Sequence, residues 1–284
     1  MLMRPTTTLW QPKSRWSSSV YAYLSRSTLN CGLSGKELEN RFPASSFISL
    51  HWFLVGSVEL PSADGSAPAR ELPRRLVSGK QGPVVTYSRG DILYFGISMY
   101  PDAFAAAFGI APKDMEGRFV DASEVLPAHG MALFDAIGVA SSDEERMKSF
   151  EDFLQIHSGD FKVSLWTAAL RAGARISVSL MSRLLKVGQR QAIRTTRNTL
   201  GVGVSDLRKF ARGEAAFNEL HASLDASRNV SLADIAARAG YADQAHLSRE
   251  CKAVTGETPG AFLRELEEEE SAWIYRASKS IRPD

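Results

Sequence analysis

The sequence predicts a two-domain α+β protein, with a mostly-β amino-terminal domain that ends in helices and an all-α carboxyl-terminal domain. Its 284 residues correspond to about two domains at roughly 150 residues each. Strand-forming residues dominate between Phe42 and Tyr100, whereas the pattern after residue 165 is helical. The charge differs as well, since residues 171–264 hold 15 basic and 8 acidic side chains although the whole chain carries only +2.

The strands of the amino-terminal half are predicted from runs of aromatic and β-branched residues. The longest run lies between Phe42 and Val58 and is bracketed by proline and glycine, which is typical of a buried strand. Shorter runs of the same type predict further strands at residues 76–77, 84–87 and 92–100.

Two helices are predicted after these strands. Pro101 suits a first helical turn, Phe104 and Phe108 lie four residues apart on one face, and Gly109 suits the helix end. An apolar stripe with a capping-box start predicts a second, amphipathic helix over residues 142–156. Its stripe needs a partner, which could be its own sheet or the same helix of a second copy of the chain.

The two cysteines, Cys31 and Cys251, lie far apart, and the chain begins without the apolar core of a secretion signal. There is no run of 18 apolar residues either. We therefore expect a soluble, cytoplasmic protein that does not bind a membrane. The predicted divisions are 1–157 for the first domain, 158–164 for a linker, 165–266 for the second domain and 267–284 for a charged, solvent-exposed tail.

The carboxyl-terminal half contains an internal repeat. Residues 181–194 and 235–248 align at an offset of 54 positions in their pattern of size and polarity. In the second copy Ser231 and Asp234 have capping-box spacing, and Gly240 permits the positive φ of a turn. Each copy is therefore predicted to be a helix-turn-helix unit.

The second helix of the first copy is predicted to present a basic face. Arg190, Arg194 and Arg197 recur at helical spacing, and residues 183–212 contain eight basic side chains and one acidic side chain. Such a face fits a major groove and the phosphates beside it. A helix over residues 205–220 would join the two units, and a rigid spacer can set two recognition helices about one DNA turn, roughly 34 Å, apart.

Residues 231–252 and 255–262 resemble the signature of AraC/XylS-type transcription regulators. The resemblance covers about residues 165–265 and is stronger in the second unit than in the first. The family usually has an aromatic residue where Thr196 and Cys251 stand, a glycine at Lys186 and a proline at Val204. The resemblance implies a DNA-binding domain whose two helix-turn-helix units read adjacent segments of the major groove.

The resemblance also implies which side chains face the bases. Arg190 and Arg194 could pair with guanine and Gln244 with adenine, whereas Ile193 and Ala245 offer apolar contact to a thymine methyl group. Asp243 fits the start of a helix better than a base contact, and His246 could contact phosphate or pack near Tyr241. The full set of predicted DNA-binding residues is Gln189, Arg190, Ile193, Arg194, Arg197, Asp243, Gln244, Ala245, His246, Ser248 and Arg249.

Residues 82–91 and 95–109 are similar to those of the sensor domains often joined to this type of DNA-binding region, which resemble a cupin barrel. The resemblance implies an effector-binding or dimerisation domain. The polar-tipped candidates for a pocket are His51, Trp52, Tyr87 and Tyr94. Strand alternation leaves the pocket-facing side open, and packing without a ligand is the alternative for each of them.

We expect a sequence-specific DNA-binding transcription regulator controlled by a small effector, and not an enzyme. The five histidines are widely separated, no Cys-x-x-Cys or His-x-His pair is present, and there is no nucleophile elbow or phosphate loop. We therefore expect no metal and no cofactor. The expected partners are double-stranded promoter DNA and an unknown effector, with RNA polymerase and a second copy of the chain as further candidates. The alternative is an interaction or dimerisation protein whose first DNA-binding unit has degenerated.

Overall fold

The computed structural model describes residues 2–62, 69–79, 82–157, 177–225 and 231–278. The predicted linker at 158–164 and the predicted start of the second domain, including Leu165 and Trp166, lie outside these ranges. Within them, a sheet-rich amino-terminal part is followed by a helical carboxyl-terminal part. The predicted fold class is confirmed at this level.

The described strands form two antiparallel sheets. The strands are β1 (Thr6–Trp10), β2 (Val20–Ser27), β3 (Glu39–Phe42), β4 (Ile48–Val55), β5 (Val58–Leu60), β6 (Arg70–Glu71), β7 (Arg75–Ser78), β8 (Val84–Ser88), β9 (Leu93–Met99) and β10 (Phe119–Asp121). One sheet has the order β1-β2-β9-β4-β7-β10, and the other has the order β3-β8-β5-β6.

The helices follow from Pro101 onward. In the amino-terminal part they are α1 (Pro101–Phe108), α2 (Ala122–Val125), α3 (Ala128–Val139) and α4 (Asp143–His157). In the carboxyl-terminal part they are α5 (Val178–Leu185), α6 (Gln189–Leu200), α7 (Val204–Asp225), α8 (Leu232–Arg238), α9 (Gln244–Thr255), α10 (Pro259–Glu268) and α11 (Trp273–Ser278).

Alternation along β4 divides its side chains between two environments. Leu50 and Trp52 are buried in the main core, and the Trp52 ring stacks on Phe134 of α3 with 4.2 Å between ring centroids. His51 and Phe53 point instead into a cavity between the two sheets. The side of the strand that lines the cavity, which the sequence left open, is therefore the side of His51.

The apolar stripe of α4 packs within its own domain. Phe150, Phe153 and Leu154 are buried, and Tyr23 of β2 meets Phe150 edge-on at 6.2 Å between ring centroids. Of the two partners considered for this stripe, these side chains contact the protein's own sheet.

The first helix-turn-helix unit shares the apolar core of the amino-terminal domain. Leu200 and Leu207 belong to the same buried cluster as Phe104 of α1, and Phe47 packs edge-on against Phe210 with ring centroids 5.4 Å apart. The second unit has a separate core that includes Phe262.

The prediction of a solvent-exposed tail after residue 267 is wrong for Glu270–Ser278, which we call the carboxyl-terminal segment. Trp273 and Tyr275 are each 4% exposed, and the segment packs against β1 and β3. The prediction was based on the run of glutamates and gave too little weight to the apolar residues that follow it. Glu270 itself forms an ion pair with the buried Arg26. Residues 279–284 lie outside the described ranges.

Candidate nucleic-acid interface and internal cavity

The first unit consists of α5, a turn and α6. The hydroxyl of Ser177 caps α5 by accepting a hydrogen bond from the Leu180 backbone N–H at 3.1 Å. Lys186 then adopts a left-handed conformation with φ 53°, a region that costs a residue with a β-carbon about 1–2 kcal/mol. The turn is therefore made even though a lysine stands where the family usually has a glycine.

The exposed face of α6 carries the predicted contact residues of the first unit. Ala192, Thr196 and Leu200 are buried, and this fixes the opposite face toward solvent. The exposed side chains include those of Gln189, Arg190, Ile193, Arg194 and Arg197. Ile193 is 47% exposed, so its side chain is accessible for an apolar contact on this face.

Thr196 is a buried polar residue on the opposite side of α6 from this face. It is fully buried, and its Oγ1 has no hydrogen-bond partner in the described part of the chain. A buried hydroxyl without a partner costs about 1–3 kcal/mol. The residue that stands in place of the family's usual aromatic therefore leaves an unsatisfied hydroxyl in the core of the first unit.

The second unit has the predicted capped geometry. Ser231 caps α8, Gly240 has φ 78° in the turn, and the Asp243 carboxylate caps α9 by accepting from the His246 N–H at 2.6 Å. Asp243 thus acts as a helix-start residue. Gln244, Ala245 and Arg249 are exposed and Ser248 is half-buried, so the face expected to meet DNA is accessible.

The His246 ring is engaged inside the protein. It meets Tyr241 edge-on at 5.2 Å between centroids, and its Nε2 lies 3.3 Å from Glu250 Oε1. Of the two roles considered for His246, packing beside Tyr241 is the one observed.

Sequence reasoning missed the ion pair that holds α9 on α7. Arg212 Nη2 lies 2.8 Å from Glu250 Oε1, and its guanidinium also stacks over the Tyr241 ring at 5.5 Å. Burial raises the pKa of the Tyr241 hydroxyl, and nearby Glu250 adds to the shift. The partners are 38 residues apart, so no local pattern could have indicated the pair.

The cavity between the two sheets has a volume of about 70 Å³. Its walls are mostly apolar and come from both sheets; they include Phe53, Val58, Leu76, Val84 and Phe119. Arg26, Asn40 and Thr86 supply polar groups, and Trp273 of the carboxyl-terminal segment forms part of the wall.

His51 and Tyr94 form an uncharged polar chain at the cavity. His51 Nδ1 lies 2.8 Å from the Tyr94 hydroxyl, and His51 Nε2 lies 2.7 Å from Ser78 Oγ. Burial lowers the pKa of His51 to about 4 and raises the pKa of Tyr94. Both side chains are therefore neutral near pH 7.

The four predicted effector residues divide into two pairs. His51 and Tyr94 line the cavity. Trp52 points to the opposite side of its strand, where its Nε1 donates to the Phe134 carbonyl at 3.1 Å. Tyr87 is 39% exposed and donates its hydroxyl hydrogen to Glu39. Trp52 and Tyr87 do not line this cavity, because strand alternation turns them away from the space between the sheets.

The comparisons with known proteins agree with the geometry of α5–α10. Residues 181–265 match a family model described as a helix-turn-helix domain. This part of the chain therefore matches a helix-turn-helix domain in both its sequence and its helix arrangement. A search of curated protein sequences returned no significant match.

Solved structures of ToxT from Vibrio cholerae are also similar to this chain. One is 14% identical and covers 81% of this chain and 98% of ToxT, with a TM-score of 0.39. Another, bound to (E)-4-(8-methylnaphthalen-1-yl)but-3-enoic acid, is 10% identical and covers 92% and 99%, with a TM-score of 0.42. These scores are too low for the similarity to define the fold or a ligand of this chain.

Two further findings concern other classes of site. No helix in the described ranges is long and apolar enough to cross a membrane. In the same ranges, His, Cys, Asp and Glu side chains do not gather in groups of three that could hold a metal ion.

Proposed function

We propose that this chain is a sequence-specific DNA-binding transcription regulator whose two helix-turn-helix units contact adjacent major-groove segments. The observation that carries the proposal is the exposed face of α6, where Arg190, Arg194 and Arg197 stand beside the exposed Ile193 within a matched helix-turn-helix domain. An arginine side chain on a recognition helix can form two hydrogen bonds with guanine, and an isoleucine side chain can contact a thymine methyl group.

The second unit presents a different set of side chains for contact with DNA bases. Gln244 at the start of α9 can pair with adenine, and Ala245, Ser248 and Arg249 lie on the same helix. The helix α7 connects the two units: it follows α6 directly and is tied to the second unit through Arg212. We infer that α7 sets the spacing of the two reading faces on DNA.

We further propose that a small-molecule effector binds in the cavity between the sheets. The cavity combines apolar walls with a few polar groups, as ligand sites usually do. Contact with RNA polymerase and formation of a homodimer stay predictions.

The test uses DNA sites selected by the full-length protein from a random pool, with scrambled sites for comparison. We expect the selected site to bind at least about 10³-fold more tightly than scrambled DNA, and both affinities to fall steeply with salt. Equal affinity for every sequence would favour the alternative of a degenerate first unit.

Replacing Arg194 with alanine tests the role of α6 directly. If Arg194 pairs with guanine, the variant loses about 1–3 kcal/mol at one position of the site and keeps its affinity for other positions. Lys148→Ala removes an equal charge on α4, far along the chain and exposed, and should leave the base preference unchanged. A uniform loss over all sequences in Arg194→Ala would reduce its role to phosphate contact.

A further inference from the structure

The two helix-turn-helix units are attached to the amino-terminal domain by different forces. The first unit shares its apolar core. The second unit is joined to it on one side of the sheets by ion pairs, in which Arg41 meets Glu265 at 2.9 Å and Lys36 meets Glu269 at 2.6 Å, and by a hydrogen bond from the Ala44 backbone N–H to the Val254 carbonyl at 2.7 Å. The Lys36–Glu269 pair is exposed, so it contributes little and weakens with salt, whereas the half-buried Arg41–Glu265 pair is screened less. The second unit therefore depends less on apolar burial for its attachment than the first unit does.

Trp273 is the apolar element in this second attachment. Its indole Nε1 donates to Asn40 Oδ1 at 2.9 Å, and its ring meets Phe42 edge-on at 5.6 Å. The Arg26 guanidinium lies over the same ring, 4.4 Å from its centroid. The indole thus contacts three groups of the amino-terminal domain: a hydrogen-bond acceptor on Asn40, the Arg26 guanidinium and the Phe42 ring.

The volume of the cavity limits which ligands can bind while the Trp273 indole is in place. An apolar cavity of about 150 Å³ is known to take up benzene, whereas the cavity here measures about 70 Å³. A ligand with one aromatic ring therefore does not fit beside Trp273. An indole is larger than benzene, so a ligand that takes the place of the Trp273 side chain gains space for a bicyclic ring.

The polar groups around the indole define the chemistry of such a ligand. Thr86 is 4% exposed, and its Oγ1 lines the cavity without a hydrogen-bond partner in the described residues. Asn40 Oδ1 requires a donor if the indole leaves. The charge of Arg26 is balanced by Glu270 at 2.7 Å, upstream of α11, so the site calls for no charge on the ligand.

We propose that the cavity takes an uncharged, indole-sized aromatic ligand with an N–H or O–H donor, which replaces the Trp273 side chain between Arg26 and Asn40. The displaced α11 leaves the sheets, and the second helix-turn-helix unit is then held to the amino-terminal domain by the ion pairs, the Ala44–Val254 hydrogen bond and its connection through α7. This inference names the ligand class and the regulatory contact of the effector cavity, and it rests on the proposed function.

The first test asks whether the site accepts an indole ring. In full-length Trp273→Ala protein, free indole should bind at one site by calorimetry and raise the thermal unfolding midpoint by several degrees. Trp16→Ala removes a tryptophan that does not line the cavity and should gain no such site. Indole-3-acetate should bind Trp273→Ala more weakly than indole does. No binding of indole, or tighter binding of the anion, would overturn the assigned ligand class.

The second test uses the wild-type protein and so does not depend on the folding of a variant. Indole near its solubility limit should speed hydrogen–deuterium exchange of residues 273–278 by at least several-fold and slow exchange in β3 and β8. Unchanged exchange of residues 273–278 would overturn the displacement of α11.

The two proposals can fail separately. Specific DNA binding by a chain that takes up no indole in either test would refute the ligand site alone. Indole uptake by Trp273→Ala in a chain that binds every DNA sequence equally would refute the proposed function and leave the ligand site standing.

Discussion

Replacing Thr196 with valine should stabilise the protein, although most core substitutions destabilise. Thr196 is fully buried in α6, and its hydroxyl has no partner within the described ranges. Valine has nearly the same shape and removes the desolvated hydroxyl, so the free energy of unfolding should rise by about 1 kcal/mol. For a cooperative unit of roughly 150–250 residues, this corresponds to an increase of about 2–4 °C in the unfolding midpoint.

Thermal unfolding and hydrogen exchange of the α6 amides measure this change. Thr195→Val is the matched control, because Thr195 is the neighbouring residue on the same helix and is only half-buried; it should give no gain. A midpoint of Thr196→Val at or below that of the wild type would refute the reasoning, since it would mean that the Thr196 hydroxyl is satisfied in solution. The exposed arginine face lies opposite, so the base preference of the variant should not change.

Two further predictions concern the cavity and the second unit. The pKa of His51 is about 4 in the folded protein and about 6.5 when unfolded, so the unfolded state binds more protons between these values and stability falls as the pH drops from 6.5 to 4. Urea unfolding should show the wild type losing up to about 3 kcal/mol more than His51→Gln across this window, and parallel pH profiles would contradict the burial of a neutral imidazole. A double-mutant cycle with Arg212→Met and Glu250→Gln should give a coupling energy of about 1–2 kcal/mol in unfolding experiments, whereas a value near zero would show that the pair does not hold α9 on α7.

Local signals in the sequence predicted the helix-turn-helix units well. Ser231, Gly240 and Asp243 each act within three or four residues of their own position, so the amino-acid pattern contains the physical cause of each turn and cap. The exposed face of α6 followed from the same short-range periodicity, since Ala192, Thr196 and Leu200 recur at helical spacing.

The cavity could be predicted only in part, because its walls depend on long-range pairing. Alternation in β4 narrowed the choice to two faces, but only the packing of Trp52 on Phe134 decides which face turns away from the cavity. Trp273 meets Asn40 across 233 residues of sequence, and no pattern near the acidic run of the tail indicates that contact. Charge counting favoured a solvated tail, whereas Arg26 required a buried partner such as Glu270.

The shared core beneath α6 limits how the chain can be divided. A fragment that starts after residue 176 would contain the complete second unit, but Leu200, Leu207 and Phe210 would lose the aromatic neighbours that Phe47 and Phe104 provide. The newly bared aliphatic surface would favour self-association, as large apolar patches do. The first helix-turn-helix unit therefore depends on the amino-terminal domain to cover its apolar side chains, whereas the second unit has a core of its own.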